Sequence, residues 1–221
     1  MKFLSLTPDL YEYLVAHGHN SDPVLDELAA ETEKLGPVSM MQIAREQGTL
    51  LQILVRVIGA RSAIEIGTFT GYSAISIARG LAPEGTLLCC DVSEDWTAIA
   101  RRYFAKAGVA DRINLRLAPA LDTLHALAPE VTFDFAFIDA DKVSYRKYYD
   151  ALLPRLRPNG LIVFDNVLWM GQVIEPSNQS DDTKALRELN DFIAGDKRVQ
   201  AVMISVADGL TIVRKRAADE R

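Results

Sequence analysis

Three short apolar runs of this chain, residues 87–91, 133–139 and 161–165, stop at an acid: Asp91, Asp139 and Asp165. A fourth, residues 63–66, carries Glu65 and leads into Gly67-Thr68-Phe69-Thr70-Gly71-Tyr72-Ser73. In open α/β sheets ligands bind beyond the carboxyl ends of the strands, so these positions are the places to look for chemistry. The glycine turn offers backbone N–H groups and two flexible positions where a ligand must come close. A dinucleotide fingerprint would read GxGxxG. Here the spacing is GxxxG, with Phe69 where the second glycine belongs, and a pyrophosphate would meet a phenyl ring. Asp91 lies 24 residues after Gly67, where a carboxylate can accept hydrogen bonds from both hydroxyls of a ribose. Glu65 is an acid on an apolar strand, costly unless it serves a partner; an amino-acid ammonium is such a partner. NAD and S-adenosylmethionine both carry the ribose, and the ammonium and the glycine spacing favour the second. Asp139 and the pair Asp165-Asn166 supply carboxylate and amide oxygens with no Cys or His nearby in sequence. That donor set suits Mg²⁺, Ca²⁺ or Mn²⁺ better than Zn²⁺. Lys142, three residues beyond Asp139, can take a proton or stabilise an oxyanion; a lysine acts as base only when neutral, a form that a neighbouring cation favours.

The elements that must hold these residues follow from periodicity. Helices are expected at about 8–16 and 22–35, the second capped by Ser21, lined by Leu25, Leu28, Ala29 and Leu35 and stopped by Gly36-Pro37. A helix at about 42–58 presents Leu51, Leu54, Val55 and Ile58 at i, i+3, i+4 and i+7. From Ser62 onward short apolar runs alternate with amphipathic helices: 63–66, 87–91, 113–117, 133–139 and 161–165. Ser93 caps a helix whose Trp96, Ile99, Ala100, Tyr103, Phe104 and Ala107 form one stripe, closed by Gly108. This alternation implies right-handed βαβ crossovers and a mainly parallel sheet covered on both faces. A helix around Leu186, Leu189 and Ile193 precedes two runs, 199–206 and 210–213, separated only by Ala207-Asp208-Gly209, too short for a parallel crossover and suited to a hairpin. The expected fold is α/β, a Rossmann-like, doubly wound sheet of about seven strands with the last antiparallel. One domain over residues 1–221 is expected, with helices in 1–60 covering the site and a core over 61–215; residues 216–221 read as a frayed tail.

Length and composition agree with that. The chain has 221 residues, 49% of them apolar and 24% charged, an ordinary globular mixture that excludes disorder and a disulfide scaffold. Thirty acidic against twenty-four basic residues leave a net charge of -6, so the chain as a whole does not attract a phosphate backbone and nucleic acid is not the expected partner. Cys89 and Cys90 are neighbours on a strand and point to opposite faces, which places them badly for pairing and suggests a reducing compartment. Pro8 and Asp9 interrupt the N-terminal apolar residues too early for a signal peptide, and no run is long enough to span a bilayer. The expectation is a cytoplasmic protein with no membrane partner. His17, His19 and His125 fit no catalytic pattern.

Three motifs in order, Glu65-x-Gly67-x-x-x-Gly71-Tyr72-Ser73, Phe137-Ile138-Asp139-Ala140-Asp141-Lys142 and Asp165-Asn166-Val167-Leu168-Trp169, resemble the cation-dependent class I O-methyltransferases, the caffeoyl-CoA and catechol O-methyltransferase group. The resemblance runs from about Thr7 to Lys215 and includes Met41-Gln42-Ile43-Ala44-x-x-Gln47-Gly48. It implies S-adenosylmethionine bound by Glu65, Gly67, Thr68, Ser73 and Asp91, with backbone contacts at Ile43 and Ala120 and further contacts from Asp139 and Asp141. Family members often have Gly where Ala118 stands. The resemblance names Mg²⁺ or a similar ion for Asp139, Asp165 and Asn166. Such an ion would bind two adjacent hydroxyls, acidify one and align it with the sulfonium methyl, with Asp139 and Lys142 as the catalytic pair. The acceptor expected is a small ortho-dihydroxy aromatic, with Trp169 and Met170 at its mouth and Tyr11, Tyr13 and Met40 as possible additions. The alternatives are a modified transfer-RNA uridine, a macrocyclic natural-product hydroxyl, or cofactor binding without catalysis. Relatives in this group are commonly homodimers, which is the assembly expected here.

Overall fold

The computed structural model describes residues 4–18 and 21–220; His19 lies outside the described residues. Seven strands form one sheet in the order β3-β2-β1-β4-β5-β7-β6: β1 (Ser62–Ile66), β2 (Thr86–Asp91), β3 (Ile113–Leu117), β4 (Phe133–Ile138), β5 (Leu156–Phe164), β6 (Val199–Ile204) and β7 (Leu210–Lys215). The first five pair in parallel and β7 runs antiparallel to both β5 and β6, the arrangement expected from the short connection at 207–209. The chain winds outward from β1 to one edge and then from β4 to the other, so the direction reverses between β1 and β4, the point where such sheets bind ligands.

Alternation along the strands divides the core in two. Ala63, Leu87, Cys89, Phe135, Phe137 and Val163 face α2 (Pro23–Glu33), α3 (Arg45–Val57), α4 (Tyr72–Gly80) and α5 (Glu94–Lys106). Ile64, Ile66, Cys90, Ala136, Ile138 and Ile162 face α6 (Ala120–Ala126), α7 (Tyr145–Arg155) and α8 (Asp181–Gly195). Cys89 and Cys90 thus sit in opposite halves of the core, both buried and both free. The aromatic stripe on α5 is capped by Ser93 Oγ, which accepts from the N–H of Trp96, and Gly108 follows the helix at φ +68°.

Several local expectations are corrected. The cap of α2 is Asp22, whose side chain accepts from the N–H groups of Val24 and Leu25; Pro23 fills the first helical position, and Ser21 Oγ instead donates to Asp26. The helix expected from about 42 begins at Arg45, because Gly36–Met41 winds as a 3-10 turn and Gln42 is extended. β5 starts five residues early, at Leu156, where it pairs with Phe133. The hairpin strand that begins at Val199 ends at Ile204. The tail is tied down through Glu220, whose carboxylate pairs with Arg214 of β7. The N-terminal helix α1 (Pro8–Gly18) buries no residue. Among the described residues no helix is long and apolar enough to cross a membrane.

Candidate active site

The carboxyl ends of β2, β1, β4 and β5 line up as neighbours. The N–H of Gly67 donates to Cys90 O at 2.9 Å, that of Asp139 to Ile66 O at 2.9 Å and that of Asp165 to Ile138 O at 3.0 Å. This ladder brings Glu65, Asp91, Asp139 and Asp165 to one edge of the sheet from four separate stretches of sequence.

Glu65 is completely buried. Its Oε2 accepts from Cys89 Sγ at 3.5 Å, whereas Oε1 has no partner, and Thr68 Oγ1 beside it is also buried and unpaired. Burial pushes this carboxyl up to about 7. A buried acid with an open lone pair at a glycine turn fits a ligand cation.

The glycines of that turn are needed by the protein itself. Gly67 has φ +89°, and a Cβ there would lie 1.8 Å from the carbonyl oxygen of Asp139. Gly71 has φ +95°, and its Cβ would stand 2.7 Å from Phe104 Cε1 of α5. Packing within the protein thus requires both glycines, whatever the ligand: they let β1 approach β4 and let the turn approach α5. Phe69, at φ +50°, packs edge-on against Trp96 with ring centroids 5.1 Å apart.

Asp91 closes the turn. Its Oδ2 accepts from the N–H groups of Thr68 at 2.9 Å and Phe69 at 2.8 Å, and its Oδ1 from those of Val92 at 2.7 Å and Ser93 at 2.8 Å. A carboxylate has about four lone-pair sites, so ribose hydroxyls would share or replace these donors, and an Asp91→Ala change would unpair four N–H groups before any ligand arrives.

Across the switch point a cationic side chain already sits between Asp139 and Asn166. Lys142 is 7% exposed, and its Nζ donates to Asp139 Oδ1 at 3.1 Å, Asn166 Oδ1 at 2.7 Å and Tyr145 Oη at 2.7 Å. Tyr145 Oη in turn donates to the carbonyl of Asp165 at 3.2 Å. Asp165 is buried; its Oδ2 accepts from Gln47 Nε2 at 2.7 Å and its Oδ1 from the N–H of Asn166 at 2.6 Å. Burial, and then the charge of Asp139, push the Asp165 carboxyl upward. Among the described residues no three His, Cys, Asp or Glu side chains are grouped to hold a metal; the oxygen set here is two carboxylates and an amide. The fit rests on Lys142, whose ammonium stands in for a cation between Asp139 and Asn166.

Of the other predicted residues, Ser73 lies in the first turn of α4, and Ala120 opens α6. Ile43 is buried in the same half of the core as Phe137. Asp141 Oδ1 accepts from Tyr148 Oη at 2.6 Å. Trp169 places its ring 5.7 Å from Lys142 Nζ. Tyr11 donates to Glu46, Tyr13 stacks on His17 and Met40 is exposed. Sequence reasoning missed Tyr145 and Gln47 as partners of the site. The i, i+3 spacing from Lys142 to Tyr145 was a usable signal; Gln47 stood in a motif of the resemblance, but nothing in the sequence tied it to Asp165, 118 residues away.

The family model described as O-methyltransferase matches residues 15–216. The chain is 40% identical over 210 residues to "Probable caffeoyl-CoA O-methyltransferase 1" of Dictyostelium discoideum, covering 93% of this chain and 91% of that one. Among solved structures, the O-methyltransferase from Bacillus cereus in complex with SAH superposes with a TM-score of 0.85 at 32% identity, covering 93% and 96% of the two chains. TomG from Streptomyces achromogenes, an O-methyltransferase involved in tomaymycin synthesis and solved with SAM, superposes at 0.86 with 29% identity over 95% and 96%.

Proposed function

The chain belongs to the O-methyltransferase family, of the caffeoyl-CoA type, and from that premise we propose that it moves the methyl group of S-adenosylmethionine to one hydroxyl of a small ortho-dihydroxy aromatic with the help of a divalent cation. The observation that carries the cation is the crevice between the ends of β4 and β5, where Asp139 and Asn166 already surround a positive charge. Relatives solved with SAM or SAH support the donor, and the open Oε1 of Glu65 is the matching feature of this chain.

In this reading Glu65 receives the ammonium of the methionine moiety, helped by Thr68 and Ser73. The backbone at Gly67, Ile43 and Ala120 lines the cofactor, Asp91 takes the ribose, and Asp139 and Asp141 complete the contacts. Asp139, Asp165 and Asn166 would hold Mg²⁺, Mn²⁺ or Ca²⁺, which when bound supplies Lewis-acid stabilisation of the acceptor oxygen. Lys142, released from Asp139 and Asn166, keeps Tyr145 Oη as its anchor and presents Nζ to the reacting hydroxyl, to take its proton or stabilise the oxyanion. Gln47 holds Asp165 in place from the far side. Trp169 walls the mouth, with its ring toward Lys142 Nζ. The assembly in this reading is a homodimer.

A second reading rests on the same ammonium: Lys142 is itself the permanent cation of the crevice, and methyl transfer needs no metal. Incubation of the protein with labelled methyl donor and a panel of ortho-dihydroxy compounds, with chelator or with Mg²⁺, separates the two. The expected result is loss of transfer in chelator, recovery with Mg²⁺ or Mn²⁺, and rates lowered about 10²-fold or more in Asp139→Ala, Asp165→Ala and Asn166→Ala. Full activity in excess chelator leaves the second reading standing.

A further inference from the structure

The connection from β5 to α8 has a backbone that local preference does not explain. Asn166, Trp169 and Met170 hold φ values of 54°, 50° and 50°, followed by Gly171 at 79°. Side-chain-bearing residues avoid this region for steric reasons, and such conformations persist only where the surroundings over-determine them. Two clamps do so here. On one side the hairpin turn between β6 and β7 holds the start of the segment. Asp208 Oδ1 accepts from the N–H of Met170 at 2.6 Å, Asp208 O from that of Leu168 at 3.0 Å, and Gly209 O from that of Val167 at 3.2 Å. On the other side Arg187 of α8 gathers the rest. Its Nε donates to Val173 O at 2.9 Å, its Nη1 to Asn178 O at 2.9 Å, and its Nη2 to Gln172 O at 3.0 Å and to Glu175 O. A guanidinium is a rigid fork of five donors, and this one spreads its bonds over four carbonyls of one short stretch. Between the clamps stands Trp169, its ring 5.7 Å from Lys142 Nζ, with Met170 exposed beside it.

We propose that Arg187 and Asp208 are positioning residues for the methyl acceptor: by holding residues 166–178 in a strained shape they set Trp169 at the mouth of the crevice and so govern acceptor recognition. Neither touches the reacting atoms. The inference rests on the reading that Trp169 and Met170 line the acceptor mouth, and it gives Asp208, in a turn chosen by the sequence for its hairpin chemistry, a second task.

The test uses the full chain carrying Arg187→Met, Arg187→Lys, Asp208→Ala or Asp208→Asn. Each is made in the wild type and in a Trp96→Phe background that leaves Trp169 as the single tryptophan. Steady-state kinetics with 3,4-dihydroxycinnamate, Mg²⁺ and S-adenosylmethionine are compared with acrylamide quenching of Trp169 fluorescence in the absence of acceptor. In Arg187→Met and Asp208→Ala the acceptor KM rises about tenfold, the size of one or two lost hydrogen bonds, kcat and the donor KM stay near wild type, and quenching increases. Asp208→Asn keeps an accepting oxygen and restores both readouts, and Arg187→Lys falls between. The proposal is overturned by an unchanged acceptor KM, by parallel loss of kcat and donor affinity, or by Asp208→Asn failing like Asp208→Ala. If the wild type does not methylate this acceptor, the substrate reading fails on its own. Quenching then decides the clamp, and equal quenching in wild type and Arg187→Met overturns it.

Discussion

At the scale of a single side chain, Glu65 is expected to link stability and cofactor binding with opposite signs. Its carboxyl is held at about 7 in the folded chain against 4.5 when free, so between those values the folded state binds a proton that the unfolded state has lost. Stability therefore falls as pH rises through this window, by roughly 3 kcal/mol for a shift of this size. An ammonium beside Oε1 reverses the preference and favours the carboxylate, so cofactor binding should release a proton near pH 7 and tighten as pH rises through it. Glu65→Gln should thus raise the melting temperature at pH 8, weaken S-adenosylmethionine, and abolish proton release measured by calorimetry in two buffers of different ionisation enthalpy. Proton release that persists in Glu65→Gln would assign it to another group. That Glu65 is a candidate for a ligand cation was legible from its type and place on an apolar strand. The backbone donors that Asp91 takes from Thr68 and Phe69 were not, because that loop reaches Asp91 only when β1 lies beside β2.

At the scale of elements, close approach between β1 and β4 decides the glycine turn. Alanine at position 67 would meet the Asp139 carbonyl in addition to adopting a left-handed φ, whereas alanine at Gly108, with φ +68°, has nothing within 4 Å. Gly67→Ala is expected to cost about 3 kcal/mol or more and Gly108→Ala about 1 to 2 kcal/mol, read as chemical denaturation midpoints. Equal costs would mean that backbone strain alone explains both. Strand positions were readable because short apolar runs alternating with amphipathic helices stand in the chain itself. Helix starts were less so: the shift of the α2 cap from Ser21 to Asp22 depends on where Pro23 takes its fixed φ, and the late start of α3 on a 3-10 turn that carries no periodic signal.

At the scale of the whole molecule, apolar surface is left over. α1 buries no side chain, Tyr13 is 62% and Met40 81% exposed, and Val202 and Met203 lie exposed on the edge strand β6. Such faces and edges invite contact with another chain, and a two-fold interface covers the same patch on both copies. Sedimentation at micromolar concentration should give twice the 24.4 kDa chain mass, and charged substitutions at Tyr13 and Met40 should shift it toward the monomer; a single species at 24.4 kDa would exclude the dimer. What this sequence determined by itself is the alternation of strand and helix, the reversal at the final hairpin, and the identity of the acids at the strand ends, because each is written in residue types within a few positions of one another. Tertiary structure alone decided that Lys142 sits between Asp139 and Asn166, that Gln47 supports Asp165, and that Asp208 and Arg187 bond the backbone at Met170 and Gln172, just beyond Trp169. These pairings join residues up to 118 positions apart, and only the packing of helices on the two faces of the sheet brings such residues within hydrogen-bonding distance.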